Sequence, residues 1–147
     1  MRIAIGADHA GFHFKEDIKN YLEQQDYEIK DFGTDSAESA DYPYIAVRVA
    51  REVSSGKARF GILVCGSGVG MTIVANKIPD IRCASCYSEP LARMSRQHND
   101  ANILSLAARY TNLQEAKKII TAFLETDFDA GGRHERRVKQ IHSLTGR

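Results

Sequence analysis

Cys65, Gly66, Ser67, Gly68, Val69 and Gly70 follow one another without interruption, and their types suit a reaction site. A thiolate is a base and a nucleophile, and a hydroxyl stands two residues beyond it. Glycines at alternate positions allow positive φ and leave no Cβ in front of the backbone N–H groups. A run of such amides opening into a helix binds anions. The plainer reading of the same residues is that the glycines serve close packing and Cys65 is a small buried hydrophobe.

For these groups to act together the chain must bring them to one edge. Gly61 to Cys65 is an apolar, β-branched run, too short for a core helix and closed by the glycines, so it reads as a buried strand. Arg2 to Ala7 reads as a first strand, with Asp8 to Gly11 as the turn after it. Phe14, Ile18, Tyr21 and Leu22 recur at helical spacing and predict a helix from about Phe12 to Gln25. A strand over Tyr27 to Phe32, a polar loop over Gly33 to Asp41 and a helix from Tyr42 follow, with Pro43 suited to the first turn and Ser54, Ser55 and Gly56 ending it. Beyond the glycine loop the pattern predicts a helix over Val69 to Asn76, a turn at Pro79 and Asp80, and a strand over Ile81 to Tyr87. Ser88 reads as an N-cap and Pro90 as a first-turn residue of a helix that runs to about Gln97 and closes at His98, Asn99 and Asp100. Asn102 to Ala107 reads as a fifth strand. Ala116, Ile119, Ile120, Phe123 and Leu124 mark another helix, and Arg133 to about Leu144 a final one.

Strands alternating with helices predict an α/β fold with a five-stranded parallel sheet, covered on both faces and joined by right-handed crossovers. Ligands of such sheets lie beyond the carboxyl ends of the strands. Asp8 and His9 follow the first strand as Cys65 to Gly70 follow the third, so the two turns should converge. Alone, Asp8 reads as a cap and His9 as a surface residue; beside a thiol and an amide nest, a place in the site is the better reading. His98 and Asn99 suit an ordinary helix C-terminus as well as a site. Arg133 and Arg137, four apart on one helix face, either grip a phosphate or form a solvated basic face.

The 147 residues suit one domain spanning 1–147, and a formal net charge of +1 argues against general affinity for nucleic acid or membranes. The last fifteen residues are nonetheless basic, with Arg133, Arg136, Arg137, Lys139 and Arg147 against Glu135. No signal peptide or membrane-length apolar run is evident, and three cysteines without framework spacing suit a reducing compartment, so a cytoplasmic protein is expected. Cys83 and Cys86 fall in a predicted strand on opposite faces, which argues against a redox pair or zinc knuckle. Gly6 to Gly11 lacks both the dinucleotide fingerprint and the P-loop lysine. Asp31 is a weak ribose-binding candidate, and no histidine pair or carboxylate cluster suggests a metal.

Six motifs occur in order across nearly the whole chain: GADHAG near the start, DYP at Asp41 to Pro43, CGSGVG at Cys65 to Gly70, ANK at Ala75 to Lys77, SRQHNDAN at Ser95 to Asn102, and GGRHERRV at Gly131 to Val138. Together they closely resemble type B ribose-5-phosphate isomerase, a family shared with the galactose-6-phosphate isomerase subunits. The resemblance implies a Rossmann-like three-layer α/β/α sandwich with an extra C-terminal helix. It also implies a cofactor-free aldose–ketose isomerase of carbohydrate metabolism, in the pentose phosphate pathway, assembled as a homodimer or tetramer with shared sites.

By the same resemblance, Cys65 is the base that moves the proton between C1 and C2, and His98 assists ring opening with Asp8 nearby. Some relatives use a later glutamate instead; Met71 and Thr72 stand there, so the cysteine type is indicated. Gly66, Ser67, Gly68, Val69 and Gly70 match the anion hole for the enediolate. His9, Arg133 and Arg137 match phosphate ligands, Arg109 lines the site, and Asn99 contacts sugar oxygens. The chemistry fits the residues, because amide donors stabilise the oxyanion formed when a proton leaves the carbon beside a carbonyl.

Geometry adds an expectation about assembly. His98 and Asn99 lie at a helix C-terminus, hence at the sheet edge opposite the strand ends, and cannot readily reach Cys65 of their own chain. A two-fold partner could supply them. Six-carbon substrates such as allose or galactose 6-phosphate, and a phosphate- or nucleotide-binding module without chemistry, are the alternatives to ribose 5-phosphate isomerisation.

Overall fold

Phe60–Cys65 (β3) is buried at every position, as a strand covered on both faces must be. In the computed structural model, which describes residues 1–147, β3 is the middle strand of a five-stranded sheet. The other strands are β1 (Arg2–Ala7), β2 (Glu28–Asp31), β4 (Cys83–Ser85) and β5 (Ile103–Ala107). The order is β2-β1-β3-β5-β4 and every pairing is parallel. The helices are α1 (Phe12–Glu23), α2 (Tyr42–Ser54), α3 (Val69–Ala75), α4 (Glu89–Asn99), α5 (Leu113–Glu125) and α6 (Arg133–Thr145). None is long and apolar enough to cross a membrane.

Each face of the sheet has its own core. Ile18 and Leu22 of α1, Ala92 of α4 and Ile119, Ile120 and Phe123 of α5 pack on Ile3, Ile5, Ile62, Leu104 and Leu106. Ile45, Val49 and Val53 of α2 and Met71 and Ala75 of α3 pack on Ala4, Leu63, Cys65 and Ile103. Alternate strand residues thus serve opposite faces, and each fully buried aliphatic side chain contributes about 1.5–3 kcal/mol. Cys83 belongs to the second core and Cys86 to the first, so the pair does face apart as expected. The final helix, α6, lies outside both layers against α4, with only Val138 buried.

Three strands are shorter than their sequence patterns, β5 by one residue, since it begins at Ile103 rather than Asn102. Instead of Ile81 to Tyr87, β4 covers Cys83–Ser85, because the Ile81 N–H donates to the Ile78 carbonyl (3.3 Å) and the Arg82 N–H to Asn102 Oδ1 (2.9 Å). Tyr27 is excluded from β2 because its N–H returns to the Leu22 carbonyl at 3.2 Å. At the helix ends, α1 stops at Glu23 rather than Gln25 and α4 runs two residues past Gln97. Asp100 closes α4 in the left-handed conformation. Ser88 holds the N-cap position of α4, yet its side chain makes no capping hydrogen bond. The Asp31 carboxylate, a weak ribose-binding candidate by sequence, is engaged within the chain: it accepts from Lys15 Nζ (2.6 Å), Lys19 Nζ (2.7 Å) and the Gly33 N–H (2.9 Å).

Candidate active site

The chain leaves β1 for α1 on one face of the sheet and leaves β3 for α3 on the other, so a crevice opens between the ends of these neighbouring strands. Register brings Ala7 opposite Val64, and the Asp8 N–H donates to the Val64 carbonyl at 3.2 Å. Asp8 Oδ1 accepts from the Gly11 N–H at 3.0 Å and caps a 3-10 turn over His9–Gly11. Capping and membership of the site are therefore compatible. Asp8, His9, Cys65, Gly66, Ser67, Gly70 and Arg109 line a cleft of about 250 Å³, together with Ala10, Tyr42 and Tyr110.

The thiol is held by its own loop. The Gly68 N–H donates to Cys65 Sγ at 3.1 Å, and the Val69 N–H to Ser67 Oγ at 3.3 Å. Gly68 alone among the loop glycines takes a positive φ, +77°. At Gly66 and Gly70 the missing Cβ makes room instead, for the Arg109 guanidinium (3.3 Å) and the Tyr42 ring (2.7 Å). The Ala108 N–H donates to the Cys65 carbonyl (2.9 Å) and the Arg109 N–H to the Gly66 carbonyl (3.1 Å), tying the loop to the end of β5. His9 is oriented as well, since its Nδ1 accepts from the Ala40 N–H at 3.3 Å. That leaves Nε2 to carry the proton of the neutral ring.

His98, Asn99, Arg133 and Arg137 are not part of this cleft. They gather where the C-terminal end of α4 meets α6. The His98 and His134 rings stack there with centroids 4.2 Å apart and planes 6° from parallel. Desolvation and the nearby His98, Arg133 and Arg137 push the His134 imidazole below the ordinary histidine range, against the opposing effect of Asp129. The end of α4 is firmly mounted: Arg82 Nε donates to the Asn99 (3.0 Å) and Asp100 (2.9 Å) carbonyls, and Arg96 Nη1 to Asp100 Oδ1 (2.7 Å). Asn99 borders a larger cavity of about 620 Å³ between α3, β4, α4 and α6, with Arg82, Cys83 and His142 on its walls. Burial pushes the Cys83 thiol up to about 12, so the thiol of this cavity stays protonated. The smaller cleft, with Cys65 under an amide donor, is the one equipped for chemistry.

Three participants escape the sequence reading. Tyr42 was legible only as part of DYP, Tyr110 only as the neighbour of Arg109, and His134 only as a letter of GGRHERRV, because each takes its place through tertiary contact. No group of three or more His, Cys, Asp or Glu side chains converges as metal ligands would.

Fold and cleft together define a doubly wound α/β protein with a cleft at the β1/β3 switch point. The Ribose/Galactose Isomerase family profile matches residues 3–141. Ribose-5-phosphate isomerase B of Escherichia coli K12 is 43% identical over 146 residues, 99% of this chain and 97% of the relative. The solved structure of Clostridium thermocellum ribose-5-phosphate isomerase B matches with a TM-score of 0.97 and 46% identity, over 99% of this chain and 98% of that one. The Mycoplasma genitalium ribose-5-phosphate isomerase B, solved with bound ribulose-5-phosphate, matches with a TM-score of 0.93 and 36% identity, over 99% and 96% of the two chains. The chain belongs to the ribose/galactose isomerase family and is an isomerase of the ribose-5-phosphate isomerase B type.

Proposed function

We propose that the protein interconverts ribose 5-phosphate and ribulose 5-phosphate through an enediolate, with Cys65 as the base. The observation that carries this reading is the Gly68 N–H on Cys65 Sγ at 3.1 Å, at the floor of a cleft lined by loop amides and by Arg109. The Cys65 thiolate takes the proton from C2 of the open-chain aldose. The electron pair moves to O1, where the amides of Gly66 to Gly70 and the Ser67 hydroxyl stabilise the negative charge. A proton passes between the two oxygens, and Cys65 returns its proton to C1 to give the ketose.

His98 assists ring opening with Asp8 nearby, Asn99 holds sugar oxygens, and His9, Arg109, Arg133 and Arg137 bind the phosphate. Since His98, Asn99, Arg133 and Arg137 lie apart from the cleft, a second copy of the chain supplies them, in a homodimer with two shared sites. Exposed apolar side chains on α3 (Val69, Ile73) and α4 (Leu91, Met94) support such an assembly. Three free cysteines suit a reducing, cytoplasmic setting. The family description spans ribose and galactose, which favours a six-carbon sugar phosphate as the second reading.

A coupled isomerase assay on five- and six-carbon aldose phosphates tests the proposal. Ribose 5-phosphate should have the highest kcat/KM. Preference for a six-carbon substrate overturns the substrate assignment, and binding without turnover of any of them overturns the chemistry.

A further inference from the structure

Ser105 is the one polar residue of β5, at a position with no exposure, between the central strand β3 and the edge strand β4. A buried hydroxyl without a partner is costly, and this one has a specific partner. Its Oγ donates to the Gly68 carbonyl at 2.8 Å. The same carbonyl accepts from Thr72 Oγ1 at 2.7 Å and from the Thr72 N–H at 3.2 Å. Thr72 is four residues along the chain, so its bonds are local; Ser105 comes from another strand and makes the only tertiary bond of the set. The loop rests closely on this floor, for a Cβ at Gly68 would lie 3.2 Å from Ser85 Oγ and 3.3 Å from Ser105 Oγ.

Gly68 faces both ways. Its N–H points at Cys65 Sγ, and its carbonyl shares one amide group with the Val69 N–H in the anion nest. Donors on the oxygen of an amide polarise it and strengthen its N–H as a donor. They also prevent the peptide from turning about the flexible glycine. We propose that Ser105 is a positioning residue for the isomerisation: from beneath the loop, its hydroxyl polarises the Gly68–Val69 amide, whose N–H belongs to the anion nest, and holds the Gly68 backbone so that its own N–H stays aimed at the Cys65 sulfur. The role rests on the reading of Cys65 and the loop given above.

Ser105→Ala and Ser105→Cys test it together, since cysteine restores the volume but donates poorly. Both variants should lose about 3–10-fold in kcat, the worth of one neutral hydrogen bond, with KM and inorganic phosphate inhibition unchanged. A hydroxamate analogue of the enediolate should lose affinity by the same factor. The rate of Cys65 alkylation by iodoacetamide at pH 7, followed by peptide mass spectrometry, should also fall. Mere loosening of the loop would expose the sulfur and raise that rate. Wild-type kcat in Ser105→Cys with a deficit in Ser105→Ala assigns the effect to packing and overturns the proposal, as does faster alkylation in either variant. The alkylation readout needs no sugar, so it stands even where the parent turns over none of the panel.

Discussion

The cleft around Cys65 and the corner around His98 are held by different means. At the cleft, β3 is buried throughout, and the loop beyond it is fixed by its own amides, by Ala108 and Arg109 of the neighbouring strand end and by the Ser105 hydroxyl. At the corner, α4 is rigid. Arg96 is buried between Phe60 and Phe123, with its guanidinium 4.8 and 5.9 Å from their ring centroids, and donates to the Thr126 and Ala101 carbonyls. The helix carrying Arg133 and Arg137 is not so anchored. It docks through Val138, the His98–His134 stack and a 2.7 Å hydrogen bond between Arg82 Nη1 and His142 Nε2. The contrast matches the tasks assigned to the two regions. A base and an anion hole need tight geometry, whereas a cationic clamp acts through charge over a longer range.

That division is open to test, beginning where the effect is largest. Cys65→Ala should lower kcat by about 10²–10⁴-fold, the range for a general base, with phosphate inhibition retained. Mixing Cys65→Ala with His98→Ala subunits under exchange should restore about one quarter of wild-type activity, because half of the dimers are hybrids and one of their two sites is unmutated. An absence of recovery in hybrids verified by mass spectrometry would place both residues in one subunit's site or remove His98 from it.

Arg137→Ala should raise KM with little change in kcat, as expected of binding shared by ground and transition states. The loss of a hydrogen bond to a charged group corresponds to about 1.5–3 kcal/mol, or roughly 10–150-fold in KM. An unchanged KM would leave α6 a solvated basic helix.

The smallest effect concerns a buried ion pair outside both regions, where the fully buried Lys15 ties α1 to Asp31 and, at 2.9 Å, to the Thr34 carbonyl. Burial pushes the Asp31 carboxyl up, but the bonds from Lys15, Lys19 and the Gly33 N–H outweigh it and hold the carboxyl below the usual carboxylate range. A folded value below the unfolded one adds stability in full above the unfolded value, about 3.9, and loses it as pH falls through the folded one. Asp31→Asn should therefore cost about 1–3 kcal/mol at pH 7 and flatten the fall in Tm below about pH 4. An acid limb identical to that of the parent would show that the pair is not stabilising.

Much of this organisation was legible along the chain. Apolar periodicity is a local property, so Arg2 to Ala7, Gly61 to Cys65 and the helices were readable from residue spacing, and parallel topology then required Asp8, His9 and Cys65 to share an edge. The motif order likewise identified the family, because it runs through nearly the whole chain. Strand neighbours are a different matter. That β5 lies between β3 and β4 depends on which faces pack, and a strand's own pattern is silent about its partner. Arg82 was expected in a ladder, but its N–H is taken by Asn102 Oδ1. Lys15 reads as a solvent residue until the tertiary fold supplies Asp31 and Thr34 to satisfy its charge. Ser105 looks neutral in a strand, and only the approach of Gly68 from a different strand's loop gives its hydroxyl a use. Elements and chemistry could be read from short-range pattern, whereas the satisfaction of buried polar groups was decided by contacts between residues far apart in the chain.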